Sequence, residues 1–375
     1  MTEVIFIVSG LYILISVFIL LGLWLRQGPA AGKSLSSGSV IICARDEEKD
    51  LPACLKSLEE QVLEPLTSER LEIILVDDAS QDRTGELMEE FARRSRFSVQ
   101  VLHMPPPQHG EPSAKWRPLK EGIKLARHEG LLLTDADATL PPNWVQRHLS
   151  ELGKSQIVAG FALIEGEGMW GRIQCLDWLF LLGVASSLNR LGIPQAALGK
   201  NLSLRRADYD EVGGLEGIGF SLTEDLSLVQ AVVRNGGKLS FPLAADMMVS
   251  TPGVPTWGEF LNQRKRWASG IRRLKPLGQI CIAAMALRHL GIVIGILAGI
   301  PAALWAWAAT AAINFLILRR ITVKMGLSRR IWSFLFWEIF YTWTAPALAV
   351  RLLNNRRVVW KGRKFTRSTQ PAGSV

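Results

Sequence analysis

Cysteine is scarce in this chain and carries no pattern. Cys43, Cys54, Cys175 and Cys281 show no CxxC and no Cys/His spacing. That excludes a disulfide framework or a zinc module and fits reduced, buried thiols. The basic balance is equally unaccompanied. A formal charge of +9 and a pI near 9.6 come without a zinc-finger, RRM or similar motif, so nucleic acid is not an expected partner. The N-terminus lacks the basic segment and short core of a secretory signal and begins with Glu3 nearby. Its apolar stretch is therefore expected to be retained. No internal repeat is evident.

Apolar residues, in contrast, make up 48% of the chain and concentrate at its two ends, beside 13 tryptophans. Basic charge and Trp flanking long apolar runs are the pattern of an interface-anchored membrane protein. Residues 4–25 form a run long enough to cross a bilayer core of about 30 Å. Arg26 and Lys33 follow, which places the next segment in the cytoplasm, and residues 27–38 read as a linker. Past Pro276 the composition turns apolar again. Residues 280–318 are interrupted by Arg288-His289 and Pro301, and residues 331–353 form a further candidate span. Two arrangements stay open: a tight hairpin within 280–318, or one kinked span from 290 to 318 with the basic tail inside.

Between these ends the texture alternates. Residues 39–43, 73–76 and 99–102 read as strands. Residues 51–63, 84–94 and 115–127 carry helical spacing, with caps at Asp50 and Asp82. Strand–helix alternation over about 100 residues implies βαβ units. Residues 157–164 read as a further strand. Residues 169–191 form an apolar-striped helix, in a core or, preferably, lying in the membrane interface.

The stretch Leu131-Leu132-Leu133-Thr134-Asp135-Ala136-Asp137 organises this region. Three leucines read as a strand buried on both faces, and the aspartates follow at the edge where open α/β sheets place ligands. Residues i and i+2 of an extended chain point the same way, so Asp135 and Asp137 can converge on one point. Paired hard oxygen ligands suit Mg²⁺ or Mn²⁺ carrying phosphate. Asp78 ends another strand, where a carboxylate can meet a base or ribose. Arg45-Asp46-Glu47-Glu48 follows the first strand. Thr223-Glu224-Asp225 opens a helix and offers a general base, although composition does not separate Asp225 from Glu224. Gln263-Arg264-Lys265-Arg266-Trp267 precedes the membrane region, as a bilayer anchor or as a diphosphate and sugar contact.

In that order these motifs resemble the membrane-bound family 2 glycosyltransferases, the group of ceramide glucosyltransferase, cellulose synthase and hyaluronan synthase. The resemblance runs from about residue 38 to 273. It implies a GT-A fold, an α/β Rossmann-like mixed sheet, with one N-terminal and two or three C-terminal transmembrane helices. The implied domains are an anchor at 1–26, a cytosolic transferase domain at 39–275, a membrane region at 276–355 and a basic tail at 356–375. The implied activity is inverting transfer of a hexose from a nucleotide-diphosphate sugar, UDP-hexose by preference, to a lipid hydroxyl at the cytoplasmic face of a bacterial inner membrane. A polysaccharide synthase, an inactive scaffold and a nucleotidyltransferase are the rivals. By resemblance, Ala44, Arg45, Asp46, Glu47, Asp78 and Lys115 line the donor pocket, with Asp135, Ala136 and Asp137 at diphosphate and metal. Asp225 is the base, with Glu224 beside it. Gly199 and Asn201 flank the acceptor path, and Gln263, Arg266 and Trp267 close the site. The chain departs from the group at Cys43-Ala44-Arg45-Asp46-Glu47, where a Pro-x-(Tyr/Arg)-Asn-Glu-like run is usual, and at Ala79, where Gly is common. Neither change removes a side chain the mechanism needs.

Overall fold

A computed structural model describes residues 1–25, 32–64, 68–108, 114–194, 198–268, 270, 271, 274, 276–354, 358–360 and 363–365. Arg26, most of the expected linker's first half and much of the basic tail lie outside the described residues. The chain divides into two compact units. One comprises Met1–Gln27, Leu163–Gln195 and Gly253–Arg356; the other Gly28–Ala162, Ala196–Pro252 and Arg357–Val375.

In chain order the elements are α1 (Thr2–Trp24), β1 (Gly38–Ala44), α2 (Leu51–Glu59), β2 (Leu71–Asp77), α3 (Thr84–Arg94), β3 (Ser98–His103), α4 (Trp116–Leu125) and β4 (Gly130–Asp135). Next come α5 (Trp144–Leu152), β5 (Ile157–Ala159), β6 (Ala162–Glu165), α6 (Gly168–Arg190), β7 (Asn201–Arg205), α7 (Arg206–Glu211), α8 (Gly214–Ile218) and α9 (Glu224–Arg234). Then follow β8 (Leu239–Ser240), β9 (Val249–Pro252), α10 (Trp257–Ala268), α11 (Pro276–Leu297), α12 (Pro301–Lys324), α13 (Phe334–Asn354) and the antiparallel pair β10 (Val358–Trp360) and β11 (Arg363–Phe365). The strand expected at 157–164 is two, parted at Gly160 and Phe161.

The second unit is built on a seven-stranded sheet in the order β3-β2-β1-β4-β7-β5-β8. The first four strands are mutually parallel, whereas β7 runs antiparallel to both β4 and β5. Central strands buried on both faces account for their continuous apolar sequences: every residue of β2 is buried, as are Leu131, Leu132 and Leu133. Parallel pairing of β1 with β2 and β4 brings Ala44, Asp77 and Asp135 to one edge. That edge is where β-strand carbonyl ends meet helix starts, the usual ligand position of open α/β sheets.

The first unit is helical. α1, α11 and α12, of 23, 22 and 24 residues, are long and apolar enough to cross a membrane by length and composition. The run 280–318 is therefore two helices, with Pro301 opening the second; the single kinked span is set aside. Arg288-His289 does not interrupt α11, because Arg288 is matched inside the bundle. Its Nη2 lies 2.6 Å from Glu338 Oε1 and 2.6 Å from Thr310 Oγ1, and both Arg288 and Glu338 are wholly buried. Asn314 donates to Glu338 Oε2 at 2.9 Å and accepts from Tyr12 Oη at 2.7 Å. One polar chain thus links α1, α11, α12 and α13.

α6 forms where its spacing predicts, but its stripe faces protein. Ser187 Oγ donates to Ile19 O at 2.6 Å, and the Phe180 ring meets Trp337 and Tyr341 at 5.1 and 5.3 Å. Gln174 and Asp177 are buried and partnered: Gln174 bonds Val254 and Asp177 pairs with Arg264. Segments 163–195 and 253–275, expected within one domain spanning 39–275, cluster with the apolar helices.

Candidate active site

Asp135 ends β4, and Asp137 follows two residues later. Their carboxylates do converge, and a single ammonium marks the point. Lys200 Nζ lies 3.0 and 3.1 Å from the two oxygens of Asp137 and 3.8 Å from Asp135 Oδ2. It also donates to Thr251 Oγ1 at 2.6 Å, and that hydroxyl donates to Asp137 Oδ2 at 3.2 Å. Lys115, just before α4, donates to the other oxygen of Asp135. Burial disfavours the Lys115 ammonium, yet Asp135 and Glu224 together hold its pKa above the ordinary lysine value. Nearby Cys43 is no nucleophile, since burial pushes its thiol up to about 12.

The two acids of α9's first turn differ in setting. Glu224 is buried and faces the charge of Lys115. Asp225 is half-buried, and backbone amides fix both its oxygens: Gly199 N–H at 2.8 Å and Leu226 N–H at 2.8 Å. Glycine is required at 199, because a Cβ there would lie 2.9 Å from Asp225 Cβ and 3.0 Å from Oδ2.

The loops after β1 and β2 are stitched to one another. Arg45 Nη1 donates to the carbonyls of Asp78 and Ala79, Gln81 N–H donates to Asp46 Oδ1, and Glu47 N–H donates to Thr84 Oγ1. Asp82 accepts from Thr84 N–H at 3.0 Å, the expected cap-like role. Ala79 holds φ at 56°, the left-handed conformation that favours Gly at this position. Asp78 is buried, 3.6 Å from the guanidinium of Arg117. Ala44 and Ala136 are buried as well and present no polar side chain.

Asn201, expected beside the acceptor path, is wholly buried with its side chain bonded within the core. Its Nδ2 donates to the carbonyls of Phe161 and Met247, both at 2.7 Å, and its Oδ1 accepts from Trp144 Nε1 and His148 Nε2, both at 2.9 Å. His148 in turn takes the Ser203 hydroxyl on Nδ1 at 2.7 Å. Burial pushes His148 down to about 3, against about 6.5 when unfolded. The unfolded chain binds this proton between those values and the folded chain does not. The contribution is complete above about pH 6.5 and lost as pH falls toward 3. Unfolding free energy measured in urea should decline over that interval, with a shallower slope in His148→Gln; an equal slope would remove His148 as the cause.

In the helical unit, Gln263, Arg266 and Trp267 share α10 at i, i+3 and i+4 and so one face. Trp267 packs edge-on against Trp178 at 4.8 Å. Arg264, between the motif residues, is buried over the rings of Trp267 and Phe260 at 4.2 and 4.5 Å and is paired with Asp177.

Lys200, Thr251 and Arg264 escape sequence reasoning. A lysine before a strand, a threonine late in the sheet unit and a cation inside a basic run carry no local signal. Their hydrogen-bonding partners lie 51 to 114 residues away.

Two carboxylates meeting at a cation-filled point fit a divalent ion. Among the described residues no third His, Cys, Asp or Glu joins them. Mg²⁺ and Mn²⁺ need few protein ligands when phosphate oxygens complete the shell.

The sheet order and the acidic strand edge define a GT-A-type glycosyltransferase. The mannosyltransferase PcManGT from Pyrobaculum calidifontis, solved with GDP-Man and Mn²⁺, matches with a TM-score of 0.56 at 15% identity, over 90% of this chain and 99% of that one. The model for glycosyl transferase family 21 matches residues 67–372, and the chain belongs to that family. It is also similar to the probable glycosyltransferase YdaM of Bacillus subtilis, 28% identical over 64% of this chain and 56% of that protein. Poly-beta-1,6-N-acetyl-D-glucosamine synthase of Staphylococcus aureus is 26% identical over 55% of this chain and 48% of that protein. The chain thus spans about half the length of these relatives.

Proposed function

We propose that this protein is an inverting hexosyltransferase that moves a sugar from a nucleotide-diphosphate donor, UDP-hexose by preference, to a hydroxyl of a membrane lipid. The observation that carries it is the seating of Asp225. Its carboxylate is aimed by two backbone amides, and the next residue after Gly199, Lys200, reaches the carboxylates of Asp137 and Asp135. A carboxylate so fixed can take the proton of an attacking hydroxyl. Asp78, with Arg45, Asp46 and Glu47, borders the base and ribose. Asp135 and Asp137 would hold Mg²⁺ or Mn²⁺, which when bound neutralises charge on the departing diphosphate. Lys115 keeps Asp135 in place, and by the family resemblance Arg266, with Gln263 and Trp267, would contact diphosphate and sugar.

The lipid acceptor is supported by the three apolar helices long enough to cross a membrane. Basic residues after α1 favour a cytoplasmic sheet unit. A polymerising reading draws on the polysaccharide synthase among the relatives. Membranes containing the protein, incubated with Mn²⁺ or Mg²⁺ and radiolabelled nucleotide sugars, separate the two. Label in the organic phase, absent with Asp225→Asn, is the expected result. Label in high-molecular-weight aqueous material would replace lipid by polymer, and none with any donor would leave a scaffold.

A further inference from the structure

We propose that Lys200 is a resident counter-cation of the Asp135/Asp137 pair, holding the cradle shaped until a divalent ion displaces it, and thereby setting the affinity for metal. This rests on the reading of those aspartates as the donor-metal site. Lys200 is not a surface lysine that happens to lie nearby. Its side chain is only 11% exposed, and a charge so withdrawn from water needs close partners. It has them in a particular arrangement. Its Nζ sits almost equally from both oxygens of Asp137, at 3.0 and 3.1 Å, and leans toward Asp135 Oδ2 at 3.8 Å. A divalent ion held by Asp135 and Asp137 would compete with this ammonium for the same carboxylates.

The surroundings hold the lysine by its backbone as well as by its ammonium. Thr134 Oγ1 donates to the Lys200 carbonyl at 2.9 Å, and Asn201 next door is anchored in the core. A flexible four-carbon stem with three rotatable donors can then swing without moving the strand. Asp135 keeps its bond from Lys115 on the other oxygen when Lys200 leaves. A divalent ion and an ammonium repel, and both cannot share the Asp137 carboxylate at contact distance. The incoming diphosphate supplies a new anion for the displaced ammonium.

The test is a Mn²⁺ titration of the purified full chain in detergent, with free Mn²⁺ read by electron paramagnetic resonance, first alone and then with UDP. Lys200→Met is expected to bind Mn²⁺ alone about tenfold more tightly, and Mn²⁺ is expected to raise its Tm more than that of wild type. Lys200→Arg, which keeps the cation and serves if the methionine variant does not fold, should bind no more tightly than wild type. Unchanged or weakened Mn²⁺ binding by folded Lys200→Met, or tightened binding by Lys200→Arg, would overturn this inference alone. No Mn²⁺ binding by wild type with or without UDP would instead overturn the reading of the site.

Discussion

Asp225→Asn is expected to lower kcat by about a thousandfold, within the usual range for a lost general base, while UDP binding stays close to wild type. The amide has nearly the carboxylate's shape but cannot accept the acceptor's proton. It also cannot satisfy its surroundings, because Gly199 N–H and Leu226 N–H both donate to position 225. An asparagine accepts one of these bonds and sets its own NH₂ against the other donor. Turnover and UDP affinity measured on the same preparation check the result. Retained turnover would transfer the role to Glu224, whose burial beside the charge of Lys115 argues for an electrostatic part.

Glu338→Leu is expected to destabilise the helical unit by about 3–5 kcal/mol, the cost of stranding a buried charge. Arg288 would lose its only carboxylate among the described residues, and Asn314 an acceptor. Arg288→Met combined with Glu338→Leu should recover most of the loss, since replacing a buried pair by apolar groups is often neutral. Thermal unfolding of the detergent-solubilised single and double variants measures this. A double variant as unstable as the single would mean that the wider polar chain through Thr310, Asn314 and Tyr12 carries the stability.

How far the sequence was readable depended on the range of each interaction. α3 begins and ends where periodicity predicts, and the leucines before Asp135 form a buried strand, because local pattern and burial agree there. Arg288 looked like an interruption only because its partner, Glu338, is fifty residues away. Resemblance located Asn201 but not the direction of its side chain, which the Trp144–His148 pocket decides. Asp225 and Glu224, equivalent by composition, separate once Gly199 is seen against one and Lys115 against the other. Lys200 was hidden by being ordinary.

Residues 199–201 assign one task to each of three consecutive positions. Gly199 aligns a carboxylate, Lys200 tends the acidic edge, and Asn201 fastens the strand to the core. Lys200 lies just before β7 and Asn201 opens it, so position 200 can change its charge while its neighbour keeps the strand in register. Retuning such an enzyme toward other metals or donors therefore has a natural starting point there, at a residue whose replacement leaves the anchorage intact. A one-residue insertion in the same tripeptide would disconnect all three at once.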